Sequence, residues 1–266
     1  LDFDLKGDIP KYWLGGDAFK TRVFDGVQMS FPDGERYFIE SVRAYKDQIT
    51  DPELLQQVKD FTWQEGQHGK VHTEYNERMK EQGVPIDRFL SVVKKVLNRR
   101  IKKFPKKYNI AMTSALEHFT AMMAETFFAK KDVMAQADPR MRAMYAWHAM
   151  EEIEHKGVAY DTFRHATRDW SRLRRYRLKS VMMLLVTFNF LRNRWNDTLE
   201  LLAQDGMSGW KIKAKLAWYL VGTPGVLRKI FPAWVAYFLP GFHPWNHDDR
   251  ALIGKAESEF PDAVLA

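Results

Sequence analysis

Two short segments of the sequence repeat one pattern, a glutamate followed three positions later by a histidine. The first pair is Glu65 and His68, and the second is Glu152 and His155. Residues at positions i and i+3 of an α-helix lie on the same face, so both side chains of each pair can reach one metal ion. A single pair of this kind occurs on many exposed helices. Its repetition makes a metal site the preferred interpretation.

Two further glutamates, Glu35 and Glu117, lie on the predicted helices that precede these pairs. Antiparallel helices joined by a short turn place residues equidistant from the turn at the same height. Residue 50 is midway between residues 35 and 65 and lies in Thr50-Asp51-Pro52, which signals a turn and a helix start. The midpoint of residues 117 and 152 falls at the start of a loop predicted around Ala135–Pro139. Both helix pairs therefore bring their carboxylates to one level.

Each of the four glutamates projects from an otherwise apolar helix stripe. Glu35, for example, shares its stripe with Phe38 and Val42. Burying an ionised carboxylate without a partner costs roughly several kcal/mol or more, so four at one level require cations. We therefore predict a two-metal centre with these ligands: Glu35, Glu65, His68, Glu117, Glu152 and His155.

One glutamate from each of two helices plus Glu-x-x-His from each of two others is the ligand pattern of ferritin-like di-metal bundles. Mixed carboxylate and imidazole ligands suit iron or manganese better than a structural zinc site, which favours four nitrogen or sulfur ligands. We predict two iron ions, with an iron–manganese pair, two manganese ions or zinc as alternatives. The small residues Ala121 and Ala124, beyond Glu117, would leave room for O2 or a substrate chain.

Two more histidines share the ligand stripes. His72 lies four positions after the histidine of the first pair, and His148 lies four positions before Glu152. We predict them as extra ligands, as hydrogen-bond partners of the ligands or as proton donors in catalysis, the plain alternative being core histidines bonded to a carbonyl or a tyrosine. If the helix is rotated, Glu151 or Glu154 replaces Glu152. We also carry Glu151 as a candidate catalytic residue.

Helical periodicity dominates the chain and strand signals are scarce, which predicts an all-α fold. Residues 1–170 are predicted to form a ferritin-like four-helix bundle with an N-terminal extension and a crossover helix. Capping residues and the Gly83 and Pro85 stops set the helix bounds. The first predicted helix is entered at Pro32-Asp33-Gly34 and runs to about Ile49. The others cover about 52–81, 87–103 (the crossover), 107–130 and 139–168.

Residues 171–266 are predicted to form a C-terminal helical extension packed on the bundle. Residues 181–191 are apolar on all sides, and 212–240 are rich in Trp, Tyr, Phe and Leu. Neither stretch has the roughly 20 uninterrupted apolar residues of a membrane span. A helix buried against the bundle is the plainest interpretation. A membrane-surface anchor or the wall of a lipid-sized pocket are the alternatives.

Composition narrows the class of protein. A chain of 266 residues that is 45% hydrophobic can bury a full core. The absence of cysteine excludes disulfides, thiolate zinc sites, iron–sulfur clusters and cysteine nucleophiles. We expect a cytoplasmic protein. Association with the inner face of the membrane is compatible with that location. The net charge of +7 is concentrated near residues 94–107 and 164–179, which suits either solvated helix faces or anionic partners.

Four groups of residues form a combined motif that extends over nearly the whole chain. They are Phe31-Pro32-Asp33-Gly34-Glu35, Gln64-Glu65-Gly66-Gln67-His68 with His72, Trp147-His148 followed by Glu151-Glu152-Ile153-Glu154-His155, and Pro240-Gly241-Phe242-His243-Pro244-Trp245. In these motifs the chain resembles the bacterial "predicted metal-dependent hydrolase" family. The resemblance implies a metal site at the residues already chosen, and it implies little about the reaction.

Two reactions fit such a site. The preferred hypothesis, by analogy with the fold class, is a non-haem di-iron or iron–manganese oxidase or oxygenase. It would use O2 and an electron donor to oxidise an apolar, lipid-like small molecule. The alternative is a di-metal hydrolase of an ester or a phosphate. Iron storage is disfavoured by the apolar C-terminal region, and nucleic acid as a partner by the lack of a recognised nucleic-acid module. Peripheral membrane contact and a homodimer are compatible with the sequence.

Overall fold

The structure is a computed structural model that describes residues 2–129 and 134–259. Within those ranges the secondary-structure elements are all helices, so the predicted all-α class is confirmed. The predicted end of the third bundle helix at residue 130 lies outside the described residues. The α-helices are α1 Ala18–Gln28, α2 Phe31–Arg43, α3 Pro52–Glu81, α4 Ile86–Lys103, α5 Lys106–Ala129, α6 Pro139–His155, α7 Val158–Ala166, α8 Arg172–Gln204, α9 Trp210–Val221, α10 Val226–Ala236 and α11 Arg250–Glu259.

Local sequence signals account for the ends of α3, which match the prediction. The Asp51 side chain caps the helix by accepting a hydrogen bond of 3.0 Å from the backbone N–H of Glu53, and Pro52 occupies the first turn. At the other end, Gly83 has a φ of +91°, a conformation that glycine adopts without a steric penalty. The resulting helix of 30 residues is long enough to pass the full height of the core.

Helices α2, α3, α5 and the α6–α7 pair pack around a common core, and α4 connects α3 to α5 while contacting α2. Two apolar clusters fill this core at different heights. On α3, one cluster contains Val58 and Phe61, and the other contains Val71 and Tyr75. Residues 62–70 therefore cross the middle of the core, between the clusters.

The predicted fourth helix is divided in two, which corrects the expectation of one helix over 139–168. Its break lies at Lys156 and Gly157, between α6 and α7. A side chain at Gly157 would place its Cβ 2.6 Å from Trp245 Nε1, and Lys156 Nζ donates to the His247 carbonyl at 2.9 Å and pairs with Asp249. The distant turn around Trp245 thus docks into the break. The first bundle helix also ends earlier than predicted, at Arg43.

The long helix α8 packs against both α5 and α1. Its buried Arg194 donates to the carbonyl of Gly26 at 2.9 Å and to Ser30 Oγ at 2.6 Å, which ties α8 to the end of α1. The close approach favours glycine, because a Cβ at Gly26 would collide with Thr198 Oγ1 and lie 3.2 Å from the Thr198 Cα. Helix α1 was not predicted from the sequence, and the domain division at residue 170 stays a prediction. Among the described residues, no helix combines the length and apolar character needed to cross a bilayer.

Candidate metal centre

The structure brings the four predicted glutamates together between the two apolar clusters. Helices α2, α3, α5 and α6 contribute Glu35, Glu65, Glu117 and Glu152 in that order. None of these glutamates is more than 2% exposed. The two histidines of the repeated pattern are also buried and lie among them. The four glutamates therefore lie at a common level of the helix bundle, as the positions of the turns predicted.

His155 lies between two of the carboxylates. Its Nε2 is 3.4 Å from Glu65 Oε1, and its Nδ1 is 3.3 Å from Glu117 Oε2. His68 Nδ1 is 3.8 Å from an oxygen of Glu65 and 3.8 Å from an oxygen of Glu152. Atoms that bind one ion at about 2 Å are roughly 3 to 4 Å from one another. The spacing of these atoms is therefore suitable for a shared cation.

Most of the polar atoms in this cluster have no hydrogen-bond partner. Seven of the eight carboxylate oxygens of Glu35, Glu65, Glu117 and Glu152 are buried and unbonded. Buried polar groups are normally bonded, so a cluster of unbonded atoms requires an explanation. Burial, followed by repulsion between the carboxylates, raises the pKa values of Glu35, Glu65 and Glu117 well above their ordinary values. Bound cations would satisfy the oxygens and remove that repulsion, so these residues fit a metal.

His72 and His148 form a second group of potential ligands with Glu35. One ligand atom from each of these three buried residues lies within 4.8 Å of the others, and the same holds for a first group of Glu65, His68, Glu152 and His155. The rings of His68 and His148 stack between the groups, with centroids 4.1 Å apart. The two groups are therefore two adjacent candidate positions for a metal ion.

A chain of hydrogen bonds fixes which ring nitrogens carry protons. It starts at the backbone carbonyl of Met29, which accepts from Asn76 Nδ2 at 2.8 Å. Asn76 Oδ1 is then left to accept from Gln28 Nε2 at 3.3 Å, so Gln28 Oε1 is the acceptor for His72 Nδ1 at 2.9 Å. His72 Nε2 in turn accepts from His148 Nδ1. Each step follows because a carbonyl oxygen can only accept.

The end of this chain faces a carboxylate. With its Nδ1 protonated, neutral His148 presents the lone pair of Nε2 to Glu152 Oε1 at 2.9 Å. Burial and the neighbouring His68 lower the pKa of His148 to about 4, which keeps the ring neutral near pH 7. Two lone pairs then face each other, an arrangement that a cation between them would stabilise. His148 therefore fits the role of an extra ligand.

Glu151 and Glu154, which were the alternatives to Glu152 as ligands, lie in different surroundings. Glu151 Oε1 accepts a hydrogen bond of 2.9 Å from Trp147 Nε1, and its Oε2 lies 2.9 Å from His68 Nε2. Glu151 thus sits on the side of the His68 ring that faces away from Glu65 and Glu152, where it can orient that ring. Glu154 is exposed and accepts from Gln64 at 3.0 Å.

Sequence reasoning missed two residues that support the site. Gln28 orients His72, but it lies on α1, a helix that was not predicted although the capping residue Asp17 signals its start. Phe31 packs on the rings of His72 and His148, with centroid distances of 5.0 and 5.3 Å. Phe31 is part of the first of the four motifs, and this membership is the sequence signal that could have identified it. The turn around His243, whose Nε2 lies 3.1 Å from Asp161, is separate from the cluster.

Two cavities reach the cluster and meet at His148 and Glu152. One has a volume of about 210 Å³ and an almost entirely apolar wall built by α1, α5, α6, α8, α9 and α10. The predicted Ala124 and the neighbouring Ala149 are part of that wall. The other has a volume of about 620 Å³, runs between α2, α4, α5 and α8, and also reaches Glu35. The candidate ligands are therefore accessible from two sides.

An all-α core that buries carboxylates and histidines in this way defines a metal-binding helical protein. Residues 1–248 match the model of a family described as "predicted metal-dependent hydrolase", and the chain belongs to that family. The family expected from the four motifs is thus confirmed. Comparison with curated proteins and with solved structures gave no match.

Proposed function

We propose that the protein is a di-metal hydrolase that cleaves an ester bond in a molecule with an apolar chain. The observation that carries the proposal is the set of seven buried, unbonded carboxylate oxygens placed among four histidines. The description of the family supports hydrolysis over other reactions. The apolar cavity that ends at His148 and Glu152 supports an apolar chain in the substrate.

The residues divide between two ion positions. Glu65, His68, Glu117 and His155 would hold the first ion, and Glu35 and His148 would hold the second. His72 would orient His148, because its Nε2 accepts the hydrogen bond from His148 Nδ1. Glu152 lies between the positions, because its Oε1 is 2.9 Å from His148 Nε2 and 3.8 Å from His68 Nδ1. A pair of divalent ions supplies a water of lowered pKa and polarises the bond to be cleaved. Iron and manganese suit this ligand set, with zinc as a further candidate.

Several residues of the chain would assist the reaction without binding metal. Glu151 would orient the His68 ring and keep Nδ1 directed at the carboxylates, since its own oxygen lies at Nε2. Gln28 would do the same for His72 through the 2.9 Å hydrogen bond. The apolar cavity would bind the chain of the substrate and exclude water from it. The larger cavity would admit water and release the polar product.

O2-dependent oxidation is the second candidate function. It is supported by the wall of the smaller cavity, which is almost entirely apolar up to His148 and Glu152. Such a wall suits a substrate whose reacting group is a C–H bond. This reaction would need iron, or iron with manganese, and an electron donor.

A metal-dependent activity assay separates the two candidates. The purified protein is analysed for metal content, then loaded without oxygen with zinc, manganese or ferrous iron. Hydrolysis of p-nitrophenyl esters by the loaded protein in the absence of oxygen is the expected result. Oxygen consumption by the iron form, with oxidation of an added fatty acid, would instead select the second candidate. A protein that binds none of these metals tightly would overturn both.

A pair of glutamate variants provides the control. Glu117→Gln removes one buried charge of the cluster with little change in shape, and we expect a loss of metal affinity of about 10-fold or more. Glu154→Gln changes an exposed glutamate of α6 and should leave metal content and hydrolysis unchanged. Equal effects of the two substitutions would contradict the assignment of the ligands.

A further inference from the structure

Helix α9 exposes an apolar side to solvent. Trp210, Trp218 and Val221 are 75%, 66% and 59% exposed, and their spacing places them on one face of the helix. The opposite face is anchored by Leu216, which is 1% exposed. Lys211, Lys213 and Lys215 are exposed beside the apolar face. Exposed tryptophan next to lysine is typical of helices that lie in a membrane interface.

Helix α8 also exposes an apolar side to solvent. Its exposed apolar residues are Val181, Leu184, Leu185 and Phe188, a spacing that again defines one helix face. The most exposed of them is Phe188, at 65%. On α10, Phe231 and Val235 are exposed as well. We call the exposed apolar residues of α8, α9 and α10 the outer face.

Contacts connect these helices to each other and to the apolar cavity. Trp234 Nε1 of α10 donates to Thr187 Oγ1 of α8 at 2.8 Å, and the Trp234 ring stacks on Phe231. The sides of α8, α9 and α10 that point inward line the smaller cavity, for example at Phe190, Leu216 and Leu227. On α9 and α10 the outer face is therefore the outside of the wall that encloses this cavity. On α8 the outer face lies before the residues that line it, and Leu185 also borders the larger cavity.

The charge of this region is strongly positive. Residues 171–240 contain twelve Lys and Arg and three Asp and Glu. All three acidic residues are already paired: Asp197 with Arg194 at 2.7 Å, Asp205 with Arg22 at 2.6 Å and with Lys11, and Glu200 with Arg88. The exposed lysines and arginines of α8 to α10 are therefore not neutralised by acidic residues of the same region.

We propose that the outer face docks on an anionic lipid bilayer, with its tryptophan and phenylalanine rings among the head groups. The apolar residues supply burial, and the basic residues attract anionic lipid, at about 1 kcal/mol for each charge near the surface. Charge complementarity selects this occupant over a second copy of the chain, because two positive surfaces repel. Docking would place the wall of the apolar cavity against the source of a lipid-like substrate. The docking itself needs neither metal nor turnover.

Vesicle co-sedimentation of the full chain tests the proposal. We expect binding to vesicles of phosphatidylcholine with phosphatidylglycerol, weaker binding to phosphatidylcholine alone, and loss of binding as salt is raised. Because the double variant Phe188→Glu, Trp218→Glu removes apolar contacts and adds two negative charges that anionic lipid repels, it should bind at least about tenfold more weakly. The matched control is Trp63→Glu, which adds a charge at a tryptophan of α3 that is 60% exposed.

Each other outcome counts against the proposal. Equal binding to both kinds of vesicle, or an equal loss in the Trp63→Glu control, would overturn it. Sedimentation equilibrium showing that the double variant splits a dimer, without vesicle binding by the unchanged protein, would assign the face to self-association. Circular dichroism checks that the variants fold. Chelated protein should bind vesicles as well as metal-loaded protein does, so a failure of docking and a failure of the proposed function are distinguishable.

Discussion

At the scale of single residues, a backbone carbonyl determines the protonation of a histidine several side chains away. The carbonyl of Met29 orients Asn76, which orients Gln28, which orients His72. The result is that His148 turns an unprotonated nitrogen toward Glu152. Such partners of metal ligands fix the tautomer and increase metal affinity. Gln28 is therefore a positioning residue for the second ion position.

Substitution of Gln28 should show this role. Gln28→Leu removes the acceptor for His72 Nδ1, so His72 and His148 lose their preferred tautomers, and metal affinity should fall by roughly 10- to 100-fold. Gln28→Glu keeps an acceptor oxygen and should retain most of the affinity. Competition with a fluorescent chelator measures both. Equal losses in the two variants would indicate a purely structural role for Gln28.

The stability of the metal-free protein should depend on pH through the buried glutamates. Burial and mutual repulsion raise the pKa values of Glu35, Glu65 and Glu117 above the ordinary 4.5. Above that pH the folded state keeps protons that the unfolded state releases, so the free energy of unfolding falls as pH rises. Calorimetry of chelated protein between about pH 5 and pH 8 should show a falling Tm.

Metal should reverse this dependence. Ions bind the deprotonated carboxylates, so the gain in Tm on adding metal should grow with pH over the same range. Glu117→Gln removes one of the titrating groups and should flatten the pH dependence of the chelated protein. A Tm of chelated protein that rises with pH would contradict the assignment of unpaired, buried carboxylates.

The convergence of the six residues predicted as ligands could be predicted from the sequence because the period of the helix and the positions of the turns determine both face and height. Their role as ligands stays a prediction. The division into two groups, in which Glu35 joins His72 and His148, could not be predicted. It depends on how far each helix is rotated about its axis, and sequence spacing does not define that rotation. Gln28 was missed because its contact with His72 crosses between helices separated by 44 positions in the chain.

At the scale of elements, local sequence signals were sufficient to predict the end of a helix where that end depends only on neighbouring residues. The ends of α3 were predicted because Asp51, Pro52 and Gly83 act within one turn of the helix. The break between α6 and α7 was missed because its cause is distant. Trp245 and Asp249 dock against Gly157 and Lys156, and no local pattern indicates a tertiary contact of that kind.

A glycine substitution tests this account of the break. Gly157→Ala would place a methyl group 2.6 Å from Trp245 Nε1, so the turn must move, at a cost of about 1–3 kcal/mol in the free energy of unfolding. The matched control is Gly66→Ala on α3, where nothing lies within 4 Å of the added carbon. It should stabilise the helix by about 0.5–1 kcal/mol. Urea unfolding measures both values. A neutral Gly157→Ala would show that Trp245 does not hold the break.

At the scale of the whole molecule, the C-terminal helices connect the surface to the centre. The sequence predicted apolar helices after residue 171, but their contact with α1 was not predicted because α1 itself was not. That contact matters, since Val23, Phe24 and Val27 of α1 complete the wall of the apolar cavity together with residues of α9 and α10. The cavity therefore exists only in the complete arrangement of the chain. Its dimensions should in turn select the length of the substrate chain.

Two substitutions in the cavity wall should separate binding near the centre from binding at the far end. Ala149→Leu adds bulk beside His148 and should lower kcat/KM for all ester chain lengths by about 10-fold or more, because it intrudes on the reacting group. Leu227→Trp adds bulk on α10, which carries none of the candidate ligands, and should lower kcat/KM only for long chains. Val92→Leu, in the wall of the other cavity, serves as the control. Metal content and Tm verify that each variant is intact. A Leu227→Trp variant that affects short and long esters equally would show that the apolar cavity does not hold the chain of the substrate.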